Sequence, residues 1–225
     1  MPINEKLLEK MNAGREYRSI DIKGMELRSN DKDEMVVEGY ATTFMEPYLL
    51  YAWEDYEVWE QVDREAFKNC DMTDVVFQYN HGGRVPARTR NKTLELWTDE
   101  HGLGQRAKLG GTELGRQLFE EIKGGYIDRM SMGFVVGKDK QETTEDHETG
   151  KTTVLRTILE ISKLYDVSAV SFPANEDTEI SARSYGEGVI AEAKEQERLA
   201  AEDMEKRRKM QEEIRELLGS TKEDR

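Results

Sequence analysis

Cysteine, histidine and proline are scarce in this chain, and the first two scarcities each remove a class of chemistry. One cysteine, Cys70, allows no intramolecular disulfide, which fits a reducing compartment and leaves Cys70 most simply as buried apolar filler. Three histidines and one cysteine are too few for most structural zinc sites, and no His-Glu-x-x-His pair is present, so no metal site is expected. The glycine pairs at 82–83, 110–111 and 124–125 match neither the phosphate-loop nor the dinucleotide-loop spacing, so nucleotide chemistry has no support and no cofactor is expected. No run of about 18 apolar residues occurs, and Glu5, Lys6, Glu9 and Lys10 interrupt the first turns, so neither a membrane span nor an export signal is expected. Positive charge is also short. The net charge of −14 argues against a nucleic-acid partner, because counterion release needs a concentrated basic face. The one basic run, Lys206–Lys209, sits between Glu205 and Glu212 and reads as solvated helix.

What is present suits one packed body with an appendage. The length of 225 residues allows a single core, while hydrophobic and charged residues each reach 36%, so the charge must be concentrated somewhere. It is concentrated at the end. From Gly186 onward there is no proline, aromatic residue or β-branched run, and Ala, Glu, Lys, Arg, Met and Leu occur in helical proportions. Ile190, Ala193, Ala200, Met204, Ile214 and Leu218 follow a rough heptad, but Glu197, Arg207 and Gln211 break the same seam, which argues against an autonomous coiled coil. The division expected is an N-terminal segment 1–17, a folded domain 18–185 and a charged helical tail 186–225.

Within the domain the pattern is mainly β. A hairpin is expected from Ser19 to Phe44 around the polar break Ser29–Asp33, and a strand at Tyr56–Val62. Arg64–Cys70 reads as a short helix, and Val75–Tyr79 as a buried strand that ends at His81. Thr93–Trp97 alternates with period two and forms a second hairpin with a strand reaching Leu109. Leu114, Leu118, Phe119 and Ile122 share one helical face, with Thr112 as cap and Gly124-Gly125 as stop. Met130–Val136 is a further β region, Lys138–Thr152 an exposed hairpin tip, and Thr153–Ile161 and Leu164–Phe172 two more strands. Every connection is compatible with antiparallel pairing.

Serine nucleophiles need an imidazole to take the hydroxyl proton and a third group to hold the imidazole tautomer. His81, His101 and His147 are the candidate bases. His101 falls at a hairpin turn and His147 in the charged excursion; His81 follows an apolar strand and precedes Gly82-Gly83, where backbone can bend around a substrate. Ser131 lies in Arg129-Met130-Ser131-Met132-Gly133-Phe134 and not in a Gly-x-Ser-x-Gly elbow, so an α/β-hydrolase is poorly supported. From the residues alone, a structural role for His81 and for Ser131 stays open.

Motif order adds a resemblance. Glu38–Phe44, Arg64–Phe67, Asn80-His81, Asp99–Leu103, Ser131–Phe134, Arg156–Ile158, Leu164–Ser168 and Phe172–Asn175 together resemble the prohead proteases of tailed phages, over about residues 18 to 182. That family implies an α+β, β-rich fold similar to herpesvirus assembly proteases: a mostly antiparallel β-barrel flanked by helices, here with a long C-terminal helix. It implies a serine endopeptidase that cleaves scaffold or capsid-protein segments during prohead maturation, in the host cytoplasm and within the prohead. The chain itself is a further candidate substrate. Capsid and scaffold proteins are the partners implied, with self-association open. By matching motif, His81 is the general base, Ser131 the nucleophile and Asp166 the orienting carboxylate. Arg156 is a candidate support for the oxyanion loop, or equally an arginine paired with one of the many acids.

The sequence also departs from its relatives. Many carry an acidic residue directly after the histidine and glutamate at the third position, where this chain has Gly82 and the shorter Asp166. Herpesvirus relatives use a second histidine there, which keeps His101 and His147 in play. Two other readings compete: a noncatalytic assembly protein that binds partners through its C-terminal helix, and an acyl hydrolase that uses the same three residues on esters.

Overall fold

The computed structural model describes residues 14–21, 26–29 and 35–171, then helical positions at 188, 190–191, 194–196 and 198–212. The polar break at 30–33, the closing motif Phe172–Asn175 and the heptad positions Ala193, Ile214 and Leu218 lie outside the described residues. The chain forms two compact units, 1–183 and 184–225.

The first unit is mostly strand. In order it contains β1 (Arg15–Asp21), β2 (Glu26–Ser29), β3 (Met35–Thr43), β4 (Tyr48–Trp53), β5 (Tyr56–Val62), β6 (Val76–Tyr79) and β7 (Gly82–Arg88). Then come β8 (Leu94–Thr98), β9 (Gly102–Lys108), α1 (Glu113–Lys123), β10 (Arg129–Asp146) and β11 (Lys151–Val170). The strands fall into two sheets. One runs β1-β10-β11-β5-β4 with β6 and β7 attached through β11; the other runs β2-β3-β9-β8. Among the described residues neither sheet closes on itself, so the mainly-β expectation is met while the barrel is not seen as a closed circuit of paired strands.

A single apolar core joins the sheets. Val37 and Ala41 of β3, Leu103 and Ala107 of β9, Met130, Met132 and Phe134 of β10, and Ile158, Ile161 and Val167 of β11 are all fully buried in it, with Leu118, Phe119 and Ile122 of α1 beside them. The helix forms where its spacing predicts. Thr112 Oγ1 accepts the Gly115 N–H at 3.0 Å, and the chain leaves the helix through Gly124 into Gly125 at φ 73°.

Three expectations are corrected. Pairing is not antiparallel throughout: β11 runs parallel to β5 over 152–158 and to β6 over 166–169. Residues 64–70 are successive turns and not a helix, because the Ala66 carbonyl that helical geometry would give to Cys70 accepts the Ile161 N–H of β11, and Cys70 bonds back to Phe67. Residues 151–170 make one strand, not two. β10 and β11 pair along nearly their whole length; the far half of β10 is exposed, as the charged excursion suggested, whereas the matching half of β11 is largely buried against β5. Two strands were not expected. β4 (Tyr48–Trp53) is rich in strand-forming aromatics and lies directly before β5, while β7 carries Gly82, Gly83 and Pro86, poor strand formers that an edge strand tolerates.

The described positions between 188 and 212 are helical and mostly exposed, with Arg198 pairing to Glu195 and Glu202, Arg207 to Asp203, and Arg208 to Glu205. Pairs at this spacing support a solvated helix.

Candidate active site

The site is assembled from three chain segments that lie far apart in sequence. β10 and β11 pair so that Ser131 faces Ser168 and Gly133 faces Asp166. Directly opposed residues of an antiparallel pair point to the same side, so these four share one face of the sheet, while Met130, Met132 and Phe134 alternate into the core. The third segment is the tight turn between β6 and β7. Tyr79 pairs with Gly82, and the two residues between them, Asn80 and His81, both have left-handed backbone, at φ 48° and 55°. Two positive φ values in a two-residue loop make the mirror-image turn that suits strand twist, a place where glycine is the usual second residue. Here it is histidine. Backbone cost accepted at one non-glycine position is a recurrent sign of a side chain kept for its chemistry. Asn80 anchors the turn: its N–H donates to the Ala169 carbonyl at 3.0 Å and its Oδ1 accepts the Ser171 N–H at 3.2 Å.

This turn delivers the imidazole between a hydroxyl and a carboxylate. His81 Nε2 lies 2.6 Å from Ser131 Oγ, and His81 Nδ1 lies 2.6 Å from Asp166 Oδ1. A second donor reaches the same carboxylate oxygen, the Ser168 hydroxyl at 2.7 Å. Tyr17 packs its ring against that of His81, with centroids 4.5 Å apart. The Ser131 hydroxyl also lies 2.9 Å from the Arg18 carbonyl oxygen, a second acceptor for its single proton. All three central residues are buried.

An acidic residue facing Nδ1 selects the tautomer that carries its proton there, which leaves Nε2 free to accept from the serine. The arrangement therefore has a hydroxyl, an acceptor for its proton and a group that orients the acceptor, in one hydrogen-bonded line. The other histidines are placed elsewhere. His101 packs edge-on against Tyr40 at the β8–β9 turn, and His147 is exposed at the tip of the β10–β11 arm. Cys70 is half-buried against the core, and burial pushes its thiol up to about 11, which disfavours a thiolate nucleophile.

Arg156 occupies a different cluster. Its guanidinium pairs with Glu16 and Glu60 at 2.7 and 2.8 Å and with Asp139 at 2.5 Å. Arg18 joins the same acids, to Glu16 at 2.5 Å and in closer contact with Glu60, and Tyr48 donates to Glu60 at 2.5 Å. Of the two readings of Arg156, the paired arginine is the one these contacts match. Burial pushes the Glu60 carboxyl up, but Arg18 and Arg156 outweigh it and the net shift is downward.

Pattern reasoning did not single out Gly133, Ser168 or Tyr17. The first two had a faint signal, each lying two residues from a candidate on the same strand and hence on the same face. Beside the His81 turn, a groove of about 240 Å³ runs between β7 and α1, lined by Tyr79, Gly82, Arg84, Pro86, Leu114 and Leu118 among others.

Comparison with known proteins supplies the context. The family model described as caudovirus prohead serine protease matches residues 23–189. No curated protein matches the chain. Among solved structures, the capsid assembly protease of bacteriophage T4 is similar at 12% identity and a TM-score of 0.39, over 71% of this chain and 98% of that one.

Proposed function

This chain belongs to the caudovirus prohead serine protease family, and on that premise we propose that it is an endopeptidase that cleaves scaffold or capsid-protein segments during prohead maturation. The observation that carries the reading is His81 bridging Ser131 Oγ and Asp166 Oδ1 at 2.6 Å on either side. Asp166 accepts a hydrogen bond from Nδ1–H and holds the ring, and Nε2 faces the hydroxyl. Ser131 Oγ attacks the scissile carbonyl carbon as its proton passes to Nε2, and the imidazolium returns that proton to the departing amine. Water then hydrolyses the Ser131 ester with His81 again as base, which restores the serine. Ser168 is a positioning residue in this scheme, a second donor that fixes the Asp166 carboxylate.

The same proposal assigns residues 18–185 to the protease domain and 186–225 to a helical tail that engages capsid or scaffold helices. The sharp composition change near Gly186 and the ion-paired helical positions that follow it support this assignment. The site of action would be the prohead, in the host cytoplasm.

Co-expression with the capsid and scaffold proteins of its phage, followed by intact-mass analysis, tests the reading. Cleavage lost in Ser131→Ala while assembly persists is the expected result. Equal cleavage in both chains, or none in either, would favour the noncatalytic assembly role, and turnover of small esters without cleavage of scaffold would favour the acyl hydrolase.

A further inference from the structure

A serine that attacks a peptide must meet a carbonyl carbon at about 3–3.5 Å, yet Ser131 has 0% of its surface exposed, Asp166 2% and His81 6%. The nearby groove between β7 and α1 offers no entry, since none of the three residues lines it. Among the described residues β1 lies against two of them, His81 and Ser131. This strand pairs antiparallel with β10 in a register that sets Ser19 opposite Ser131 and Tyr17 opposite Gly133, so Tyr17 and Ser19 lie on the face that carries the site. The Tyr17 ring closes over the imidazole, and the Arg18 carbonyl lies within hydrogen-bonding distance of the hydroxyl that must attack.

β1 is also built to be separable. It is the edge of its sheet and pairs on one side only, with β10, among the described residues. Tyr17 is its one buried apolar side chain among those described. Beyond its backbone pairing with β10 and the Arg15 guanidinium over the Tyr165 ring, its side-chain hold is mainly charge: Glu16 and Arg18 reach across to Glu60 of β5, Arg156 of β11 and, through Arg156, Asp139 of β10. Ion clusters of this kind specify a position strongly while intact and lose much of their value when one member is removed.

We infer that β1 is a self-blocking strap, latched by the Arg18–Glu60–Arg156–Glu16 cluster, and that a peptide reaches Ser131 only after β1 leaves β10. The inference builds on the reading of Ser131 as the attacking group, but its test is independent of that reading. In the full chain carrying Cys70→Ser, the substitution Ser131→Cys places a thiol at the covered position, and peptide mass mapping gives its rate of alkylation by N-ethylmaleimide. Alkylation reads the access and the thiolate fraction of position 131, whatever the serine does, and the oxidised and reduced forms of one chain share the same neighbouring charges. One derivative adds Arg15→Cys and Val135→Cys, a cross-strand register pair, so that oxidation ties β1 to β10. A second adds Arg18→Ala and loosens the latch.

The thiol at position 131 should react about tenfold more slowly in the oxidised, tied chain than after reduction, and about tenfold faster with Arg18→Ala than without it. Rates within about twofold across these comparisons would overturn the strap. If the disulfide does not close, or Arg18→Ala does not fold, the remaining derivative decides alone. A chain whose strap behaves as expected but whose Ser131→Ala form still cleaves would instead overturn the nucleophile and leave the strap standing.

Discussion

Gly133 stands directly opposite Asp166 across the β10–β11 pair, and a methyl group built on it would lie 2.3 Å from Asp166 Oδ2. No real side chain is tolerated at that distance, so the glycine makes room for the carboxylate. Gly133→Ala should displace Asp166 from His81 Nδ1. A shift near 1 Å in a catalytic group costs roughly a hundredfold in rate, while overpacking costs about 1–3 kcal/mol of stability. The expected result is a folded protein with cleavage reduced about a hundredfold, checked by peptide turnover beside thermal unfolding. Full activity would mean that the carboxylate is not held as the geometry suggests.

Ser168 donates to the same oxygen that faces His81. A hydrogen bond to a charged group contributes about 1.5–3 kcal/mol, so Ser168→Ala should lower kcat roughly ten- to hundredfold with KM little changed. The pH–rate profile should also move, because a less firmly held carboxylate supports the imidazolium less well. Ser168→Thr keeps the hydroxyl and should recover much of the loss. A fall in melting temperature with an unaltered pH profile would assign Ser168 to packing only.

The Arg156 cluster makes a prediction about stability. Arg156→Met removes a shared partner of Glu16, Glu60 and Asp139 and leaves buried acid short of positive charge, at a cost of roughly 3–5 kcal/mol. The pH dependence has a definite sign. The Glu60 carboxyl is held below its unfolded value, so its contribution is present above the ordinary carboxylate range and is lost as pH falls through the lowered value. Removing one of the two arginines brings Glu60 back up, so the variant should unfold at a higher pH than the parent during acid titration, as circular dichroism would record. An unchanged acid midpoint would contradict the assignment.

How far the sequence leads depends on which forces are local. α1 was legible because its cap, its apolar face and its glycine stop all lie within a few residues of one another, and the Thr112–Gly115 bond follows from that spacing alone. The meeting of His81, Ser131 and Asp166 was anticipated through motif order and not through any local signal. The rest was not, for identifiable reasons. Whether Arg64–Cys70 winds into a helix depends on Ile161, almost a hundred residues away, claiming the Ala66 carbonyl. The parallel pairing of β11 with β5 and β6 leaves no trace in alternation, since period two says which face is buried and not which strand lies alongside. Arg156 was readable as an arginine near acids, but which acids depends on β1, β5 and β10 converging on it. The left-handed backbone of His81 ran against local preference, which selects glycine there, and such conflicts are expected where function overrides propensity.

Gln105 tests the core from the opposite direction. It sits on β9, fully buried, with neither amide atom meeting a hydrogen-bond partner among the described residues. Desolvating an unpaired amide costs about 1–3 kcal/mol on mutational scales, and an apolar side chain of similar length avoids that cost. Gln105→Met, unbranched and close in shape, should therefore raise stability by roughly 1 kcal/mol, or about 2–4 °C in Tm for a domain of this size, without affecting cleavage. A lower Tm would reveal a polar contact that the amide makes in solution, and would count against reading β9 as apolar on its inward face.

Asp166 is one methylene shorter than a glutamate, and the contact with His81 gives that length a consequence. With Nδ1 and Oδ1 already 2.6 Å apart and Gly133 leaving just enough room behind, an added methylene has nowhere to extend. Asp166→Glu should force the carboxylate or the His81 turn to move and so lose most activity despite conserving charge, by roughly a hundredfold if the displacement is near 1 Å. Asp166→Asn poses the complementary question. It keeps the volume but offers an amide to Nδ1, and an amide carbonyl orients the ring less well, while an amide N–H there selects the tautomer with its proton on Nε2, which cannot accept from Ser131. The loss should then reach about 10⁴-fold in kcat, the scale on which serine proteases of other folds respond to the wrong tautomer. Peptide turnover by the two variants, with folding confirmed by thermal unfolding, separates the roles: a large loss in Asn with a smaller one in Glu assigns Asp166 mainly to the tautomer, equal losses assign it to placement, and wild-type rates in both would remove it from the mechanism.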